Sequence, residues 1–247
     1  MGGWALDLDG VVWLGDQVLP RAAEAVAQLR ARGERVVFVT NNSSVPTAAV
    51  EAKLAGFGIP AAGDVVTSAT VAAQLVAPHE TALVCAGAGV AEALTERGVR
   101  VVLDGSADVV VVGFHRSFDY ERMRIAAAAV RNGARLLATN DDATYPTPEG
   151  LIPGGGAILA SIETAAGVRA EIAGKPHPPM AAYVLGRLGA GGTMVGDRAD
   201  TDGRFARALG YRFALVLTGV TTRADLPVDP APDLVAADLY EAVSAPS

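Results

Sequence analysis

Short β-branched runs alternate with alanine-rich helical patterns along nearly the whole chain, and that alternation restricts the available folds more than any other feature. Strands separated by helices read as repeated strand–helix units around a mainly parallel sheet, so the expected fold class is α/β. The first strand is expected over residues 4–8. Pro20 then opens a helix whose Ala22, Ala23, Val26 and Leu29 share one face, and Gly33 is placed to end it. Further strands are expected at 35–39, 81–85, 99–103, 109–112, 135–138, 193–195 and 212–217, with a helix at about 119–131. The run Gly154-Gly155-Gly156 and the proline-rich stretch 227–232 read as turns.

A chain of 247 residues, at roughly 150 residues per domain, makes one large domain or two modest ones. With 51% hydrophobic and only 19% charged residues it lies far from the composition of disordered chains. Its 20 basic and 27 acidic side chains give a net charge of -7, which argues against a broad grip on nucleic acid or anionic lipid while leaving local phosphate binding open. No apolar run approaches the roughly 20 residues of a membrane-spanning helix, and no basic, apolar leader precedes the first strand. Cys85, the lone cysteine, sits in the apolar run 82–86 and reads as a buried, inert thiol. A reducing cytoplasm is the expected compartment, with neither nucleic acid nor membrane as partner.

Asp7-Leu8-Asp9-Gly10 follows directly on the first apolar run, at a strand's C-terminal end, where open α/β sheets build their sites. Residues two apart on a strand face the same side, so Asp7 and Asp9 can converge on one metal or one substrate, although Asp-Gly is also ordinary turn chemistry. A second acidic group, Asp197, Asp200 and Asp202, again lies just beyond a short apolar strand. A few carboxylates from two strand ends suffice for a hard cation such as Mg²⁺, which keeps several waters. Thr40-Asn41-Asn42-Ser43-Ser44 follows a third strand, with Pro46 opening the next helix. Alone it reads first as a helix cap, yet the same donors can hold phosphate oxygens. Gly174-Lys175-Pro176 adds a lysine able to offer positive charge to a phosphoryl group.

Other phosphate signatures are missing or weak. No GxxxxGK[ST] occurs, and Gly87-Ala88-Gly89 is followed by Glu92 where a dinucleotide fingerprint needs Gly or Ala. His79, His115 and His177 form no close metal-ligand pair, although His115 and His177 can still touch substrate.

Taken together, four segments resemble the haloacid dehalogenase superfamily, specifically its class IIA phosphatases, over essentially the whole chain. They are Asp7-Leu8-Asp9-Gly10-Val11-Val12-Trp13, Thr40-Asn41-Asn42-Ser43, Gly174-Lys175-Pro176-His177-Pro178 and Gly196-Asp197-Arg198-Ala199-Asp200-Thr201-Asp202, in the family's order. Thr40 follows Asp7 by 33 positions but Lys175 follows Thr40 by 135, which puts the extra domain between the second and third motifs. The resemblance implies a Rossmann-like core of residues 1–74 and 175–247 and an inserted α/β cap at about 75–174. Asn140-Asp141-Asp142, Tyr145-Pro146, Glu149-Gly150 and the glycines at 154–156 resemble that family's return from cap to core.

The resemblance further implies a Mg²⁺-dependent phosphatase acting on a small phosphorylated metabolite. Asp7 would be the nucleophile that forms an aspartyl-phosphate, and Asp9 the general acid and base. Thr40, Asn41, Asn42 and Lys175 would bind or shape the phosphoryl site. Asp7, the backbone carbonyl of Asp9, and Asp197 would hold Mg²⁺, with Asp202, ahead of Asp200, acting through water or Lys175. Cap residues, with the 140–145 loop and the region of His115 as candidates, would select the substrate, and the family leaves room for a homodimer through the cap. Gly203 departs from the larger aliphatic residue expected there. The rivals are a phosphotransferase or phosphomutase of the same superfamily and a non-catalytic protein that binds phosphorylated metabolites. A receiver domain would leave the insertion and Asp9 without a role.

Overall fold

The computed structural model describes residues 2–147 and 150–245, so Glu149 of the expected return segment lies outside the described residues. In chain order the strands are β1 (Gly3–Leu6), the pair β2 (Trp13–Leu14) and β3 (Gln17–Val18), β4 (Arg35–Thr40), β5 (Val65–Thr67), β6 (Thr81–Cys85), β7 (Arg100–Val102) and β8 (Val109–Val112). They continue with β9 (Arg135–Ala138), the pair β10 (Thr144–Thr147) and β11 (Gly150–Pro153), β12 (Glu171–Ile172), β13 (Gly192–Gly196), β14 (Arg212–Val216) and β15 (Leu234–Ala236). The helices are α1 (Ala22–Ala31), α2 (Thr47–Gly56), α3 (Ser68–Gln74), α4 (Ala88–Glu96), α5 (Tyr120–Arg131), α6 (Gly155–Ala166), α7 (Pro178–Leu188), α8 (Arg204–Leu209) and α9 (Leu239–Ser244).

Two compact units result, one from Met1–Thr40, Val50–Val66 and Lys175–Ser247, the other from Asn41–Ala49 and Thr67–Gly174. In the first unit a sheet runs in the order β15-β14-β13-β1-β4-β5, with β1 parallel to both β13 and β4. Its core packs Leu6, Val36, Phe38 and Val195 against Val26 and Leu29 of α1, Leu54 of α2 and Leu239 and Val243 of α9. The second unit has its own parallel sheet, β12-β9-β8-β6-β7, packed against α5 and α6 through residues such as Leu83, Val110, Val130, Leu159 and Ile162.

The sequence folds this way because a parallel sheet covered on both faces tolerates unbroken apolar strands. Val109 to Val112 are each fully buried in the middle of the second sheet. The helix expected near 119 starts where Asp119 accepts the backbone N–H of Arg122 at 2.8 Å, an N-cap that satisfies one of the first-turn donors. Ser68 to Gln74 has the same device, with the Thr67 hydroxyl accepting from the Thr70 N–H at 3.1 Å.

Three expectations shift. The first strand stops at Leu6 because the chain already turns at Asp7-Leu8-Asp9-Gly10, where the Val12 and Trp13 amides donate to the Leu8 carbonyl and Gly10 adopts φ +81°. The strand expected at 99–103 is shorter, Arg100–Val102, and lies at the sheet edge. The glycine run at 154–156 is no simple turn: Gly155 and Gly156 begin α6, and a Cβ on Gly156 would stand 2.2 Å from the Asp141 carbonyl oxygen. Among the described residues no helix is long and apolar enough to cross a membrane.

Cys85 is buried at the end of β6, and burial pushes its thiol up to about 11. Thiolate, the reactive form, is therefore scarce at ordinary pH. The native protein should resist a disulfide reagent such as DTNB at about pH 8 and react with one thiol per chain only after denaturation. Rapid native labelling would contradict the packing of β6.

Candidate active site

Strand order builds the site. From β1 the chain proceeds to β4 and β5 on one side, then returns to fill β13, β14 and β15 on the other, so the order reverses between β1 and β13. Crevices at such reversals, beyond the carboxyl ends of the strands, are where open α/β sheets bind ligands. Asp7 stands just past β1 and Asp197 just past β13, held in step by the pairing of Leu6 with Val195. Thr40 ends β4, on the other side of β1, and is buried.

Lys175 lies just before α7 and is only 2% exposed. Its ammonium donates to Asp7 Oδ1 and to Asp202 Oδ1, each at 2.7 Å. Carboxylate oxygens of Asp7, Asp197 and Asp202 all lie within 4.8 Å of one another. Burial is the largest influence on each of these acids and pushes all three up, Asp202 to about 6, against the downward pull of Lys175. Lys175 is itself desolvated, but Asp202 and Asp7 outweigh that and raise its pKa, so it stays charged.

Asp197 is fixed from behind. The Val220 N–H donates to its Oδ2 at 2.6 Å, and a Cβ on Gly219 would stand 1.9 Å from that same oxygen. Gly10 comes equally near, with Asp197 Oδ2 at 2.6 Å from where a Cβ would be, and its φ of +81° suits glycine. Asp9 accepts the Trp13 indole N–H at 3.0 Å, and Lys53 Nζ lies 4.6 Å from the Trp13 ring. Burial raises the Asp9 carboxyl, opposed by Trp13 and more weakly by Lys53 and Lys175.

Of the residues singled out in the sequence, Asp7, Lys175, Asp197 and Asp202 thus come together directly. Asp200 turns aside into a pairing with Arg198, at 3.2 and 3.3 Å, while Asp202 meets Lys175. Asn41 and Asn42 belong to the second unit, where Asn41 Nδ2 donates to Asp142 Oδ2 at 2.9 Å and the Asn42 side-chain oxygen accepts the Ser44 N–H at 3.0 Å. The small Gly203 is matched to its surroundings, since a Cβ there would stand 2.9 Å from both Phe213 and Pro230. Trp13 was within reach of sequence reasoning, four positions after Asp9, but Lys53, Gly219 and Val220 carry no local signal of their part.

With this geometry in view, comparison with known proteins is specific. Residues 4–100 match the model of the haloacid dehalogenase-like hydrolases, and 172–242 match a second, HAD-hydrolase-like model. The 5'-nucleotidase YutF of Bacillus subtilis is 37% identical over 234 residues, 92% of this chain and 91% of its own. The 4-nitrophenylphosphatase structure from Thermotoga maritima matches with a TM-score of 0.92 at 32% identity, over 99% of this chain and 97% of that one. The glycerol phosphate phosphatase of Mycobacterium tuberculosis, in complex with magnesium, matches with a TM-score of 0.88 at 36% identity, over 97% of this chain and 76% of that one. The chain belongs to the haloacid dehalogenase-like hydrolases. Its reaction class is the hydrolysis of phosphoric monoesters.

The raised Asp202 carboxyl has a consequence for stability. Between the ordinary 3.8 and about 6 only the unfolded chain is ionised there, so stability is lost as pH rises through this window and the cost of the buried charge is complete above it. In chelator-treated protein, the melting temperature of wild type relative to Asp202→Asn should fall as pH is raised from about 4.5 to about 7. A difference that does not change with pH would remove the buried charge from the account.

Proposed function

We propose that the protein is a Mg²⁺-dependent phosphatase that hydrolyses a small phosphomonoester metabolite in the cytoplasm, through an aspartyl-phosphate on Asp7. The observation that carries this reading is the buried Lys175 ammonium, 2.7 Å from Asp7 and 2.7 Å from Asp202, beside a third carboxylate, Asp197. Three carboxylates against one ammonium leave an excess of negative charge where water is scarce. Hard oxygen donors of this kind fit a divalent cation such as Mg²⁺. Asp7, the Asp9 carbonyl and Asp197 would hold it, with Asp202 in the same side-chain cluster. When bound it supplies positive charge that lets an anionic nucleophile approach an anionic phosphate.

In this reading an Asp7 carboxylate oxygen attacks phosphorus and the ester P–O bond breaks. Asp9, whose carboxyl burial shifts upward, gives a proton to the leaving alkoxide. Asp9 then takes a proton from water as the water oxygen attacks phosphorus, which releases inorganic phosphate and restores Asp7. Lys175 and Thr40 bind the phosphoryl oxygens, with Asn41 and Asn42 shaping the loop that follows Thr40. Residues 1–74 and 175–247 form the catalytic core, and 75–174 the cap that selects the substrate. The similar proteins named as a 5'-nucleotidase, a 4-nitrophenylphosphatase and a glycerol phosphate phosphatase support this substrate range without choosing within it.

Release of phosphate from p-nitrophenyl phosphate should require Mg²⁺, stop with EDTA, and fall by about 10³-fold or more in Asp7→Asn. Lys175→Ala should lower kcat by about 10² to 10³-fold. Undiminished hydrolysis by a clean Asp7→Asn preparation would take the nucleophile role from Asp7.

Asp9 makes a separate prediction. A nitrophenolate leaves without much help from an acid whereas an alkoxide needs its proton, so Asp9→Asn should lower kcat/KM far more for glycerol phosphate than for p-nitrophenyl phosphate. Equal losses would mean that Asp9 does not protonate the leaving group.

A further inference from the structure

The chain crosses between the two units four times, and two of those crossings matter here, the first outward one between Thr40 and Asn41 and the last return between Gly174 and Lys175. Each residue assigned above to the phosphoryl oxygens is therefore one peptide bond away from a residue of the second unit. What holds Asn41 and Gly174 bears directly on where Thr40 and Lys175 point.

The Asn41 carbonyl accepts two buried side-chain hydrogen bonds, from Ser68 Oγ at 2.7 Å and from Asn140 Nδ2 at 2.7 Å. The Asn41 side chain meanwhile donates to Asp142. Two residues on, Ser43 Oγ and Thr139 Oγ1 share a hydrogen bond of 2.9 Å, and both residues are fully buried. The return crossing is gripped by the same few residues. Parallel pairing of β12 with β9 aligns Ile172 with Ala138, and the Ala173 N–H donates to the Ala138 carbonyl at 2.8 Å. Gly174 is thereby carried alongside Thr139, so close that a Cβ on it would stand 2.4 Å from the Thr139 carbonyl oxygen and 2.6 Å from Asn41 Oδ1. Both crossings are thus locked to Thr139 and Asn140, immediately after β9.

Asn140 bears a cost in this arrangement. Its Oδ1 is buried without a hydrogen-bond partner, pressed against Gly155, where a Cβ would stand 2.7 Å away. An orphaned buried acceptor lowers stability, so the carboxamide is not explained as a simple contribution to the fold. Only its donor half is used, and that half is directed at the Asn41 carbonyl.

We propose that Asn140 is a positioning residue for phosphoryl binding: with Ser68 it fixes the Asn41 peptide, and through that peptide and the close-packed Gly174 it sets Thr40 and Lys175. The proposal rests on the reading of Thr40 and Lys175 given above. Small displacements of groups that hold a reacting phosphate are costly, of the order of 10²-fold for about 1 Å.

The test compares wild type with Asn140→Ala and Ser68→Ala, using p-nitrophenyl phosphate turnover and inhibition by inorganic phosphate, both with Mg²⁺, beside circular dichroism and thermal melts. In folded Asn140→Ala, kcat should fall by about 10 to 100-fold and inorganic phosphate should inhibit several-fold less strongly. Ser68→Ala should shift both in the same direction to a smaller extent, and the conservative Ser68→Thr should restore them. A merely structural role would lower the melting temperature and leave kcat and phosphate inhibition unchanged in the folded fraction, and that result would overturn the proposal. Should Asn140→Ala fail to fold, Ser68→Ala decides by the same readouts. Should wild type show no hydrolysis, the phosphatase reading fails by itself, and calorimetric binding of inorganic phosphate to wild type and Asn140→Ala decides the positioning role: weaker binding in the variant supports it, and equal binding or none overturns it.

Discussion

Lys175 carries a full charge into a place where only 2% of its surface meets solvent, and the fold around it is arranged to make that tolerable. Stripping water from an ammonium costs several kcal/mol after relaxation, and only short, well-aimed partners offset it. Asp7 and Asp202 are those partners, each at 2.7 Å, and they come from opposite ends of the chain. The repayment goes too far, since Asp197 adds a third carboxylate within 4.8 Å of the other two. A buried cluster of this sign favours whatever brings positive charge to it. Its own acids respond by holding protons more strongly than carboxylates ordinarily do.

That one ion cluster can draw on residues 7, 175, 197 and 202 follows from the parallel sheet. Every strand of the β13-β1-β4 group points the same way, so its last residues open onto a common edge whatever their separation in sequence. The reversal of strand order between β1 and β13 leaves room there for side chains as large as Lys175. In the reaction proposed above the chemistry takes place at that edge, while helices such as α1 and α9 pack on the faces of the sheet.

The strands and their ends were readable because buried parallel strands leave an uninterrupted apolar run, as in Val109 to Val112, followed at once by polar residues. Asp7, Thr40 and Asp197 each mark such an end. The choice between Asp200 and Asp202 was not readable with the same security. Both lie in the π-helical turn Ala199–Gly203, whose wider winding sends Asp202 to Lys175 and Asp200 to Arg198, and no periodicity in the sequence announces that turn. Asn41 illustrates a different limit. From the residues alone its segment read first as a helix cap, and its hydrogen-bond partner Asp142, 101 positions away, is revealed only by the folded second unit. Gly87 and Gly89 were discounted as a dinucleotide motif and left without a purpose. Their absent side chains admit the backbone of Ser44 and Val45, whose carbonyl oxygens would stand 2.6 and 2.2 Å from a Cβ at each glycine.

The same logic of close approach governs Asp197, and it connects stability to chemistry. Gly10 and Gly219 let two backbone segments press against one carboxylate oxygen, and the Val220 N–H then holds that oxygen at 2.6 Å. Glycine gives up more chain entropy on folding than any other residue, and a buried acid gives up hydration. Lys175, shared between Asp7 and Asp202, offsets only part of the burial of Asp197. Losses of this kind persist in a fold when the arrangement they create is itself useful. Here the arrangement is a carboxylate that cannot swing away from its neighbours, which is what a site must have if charge is to be met at a fixed point when a phosphate arrives.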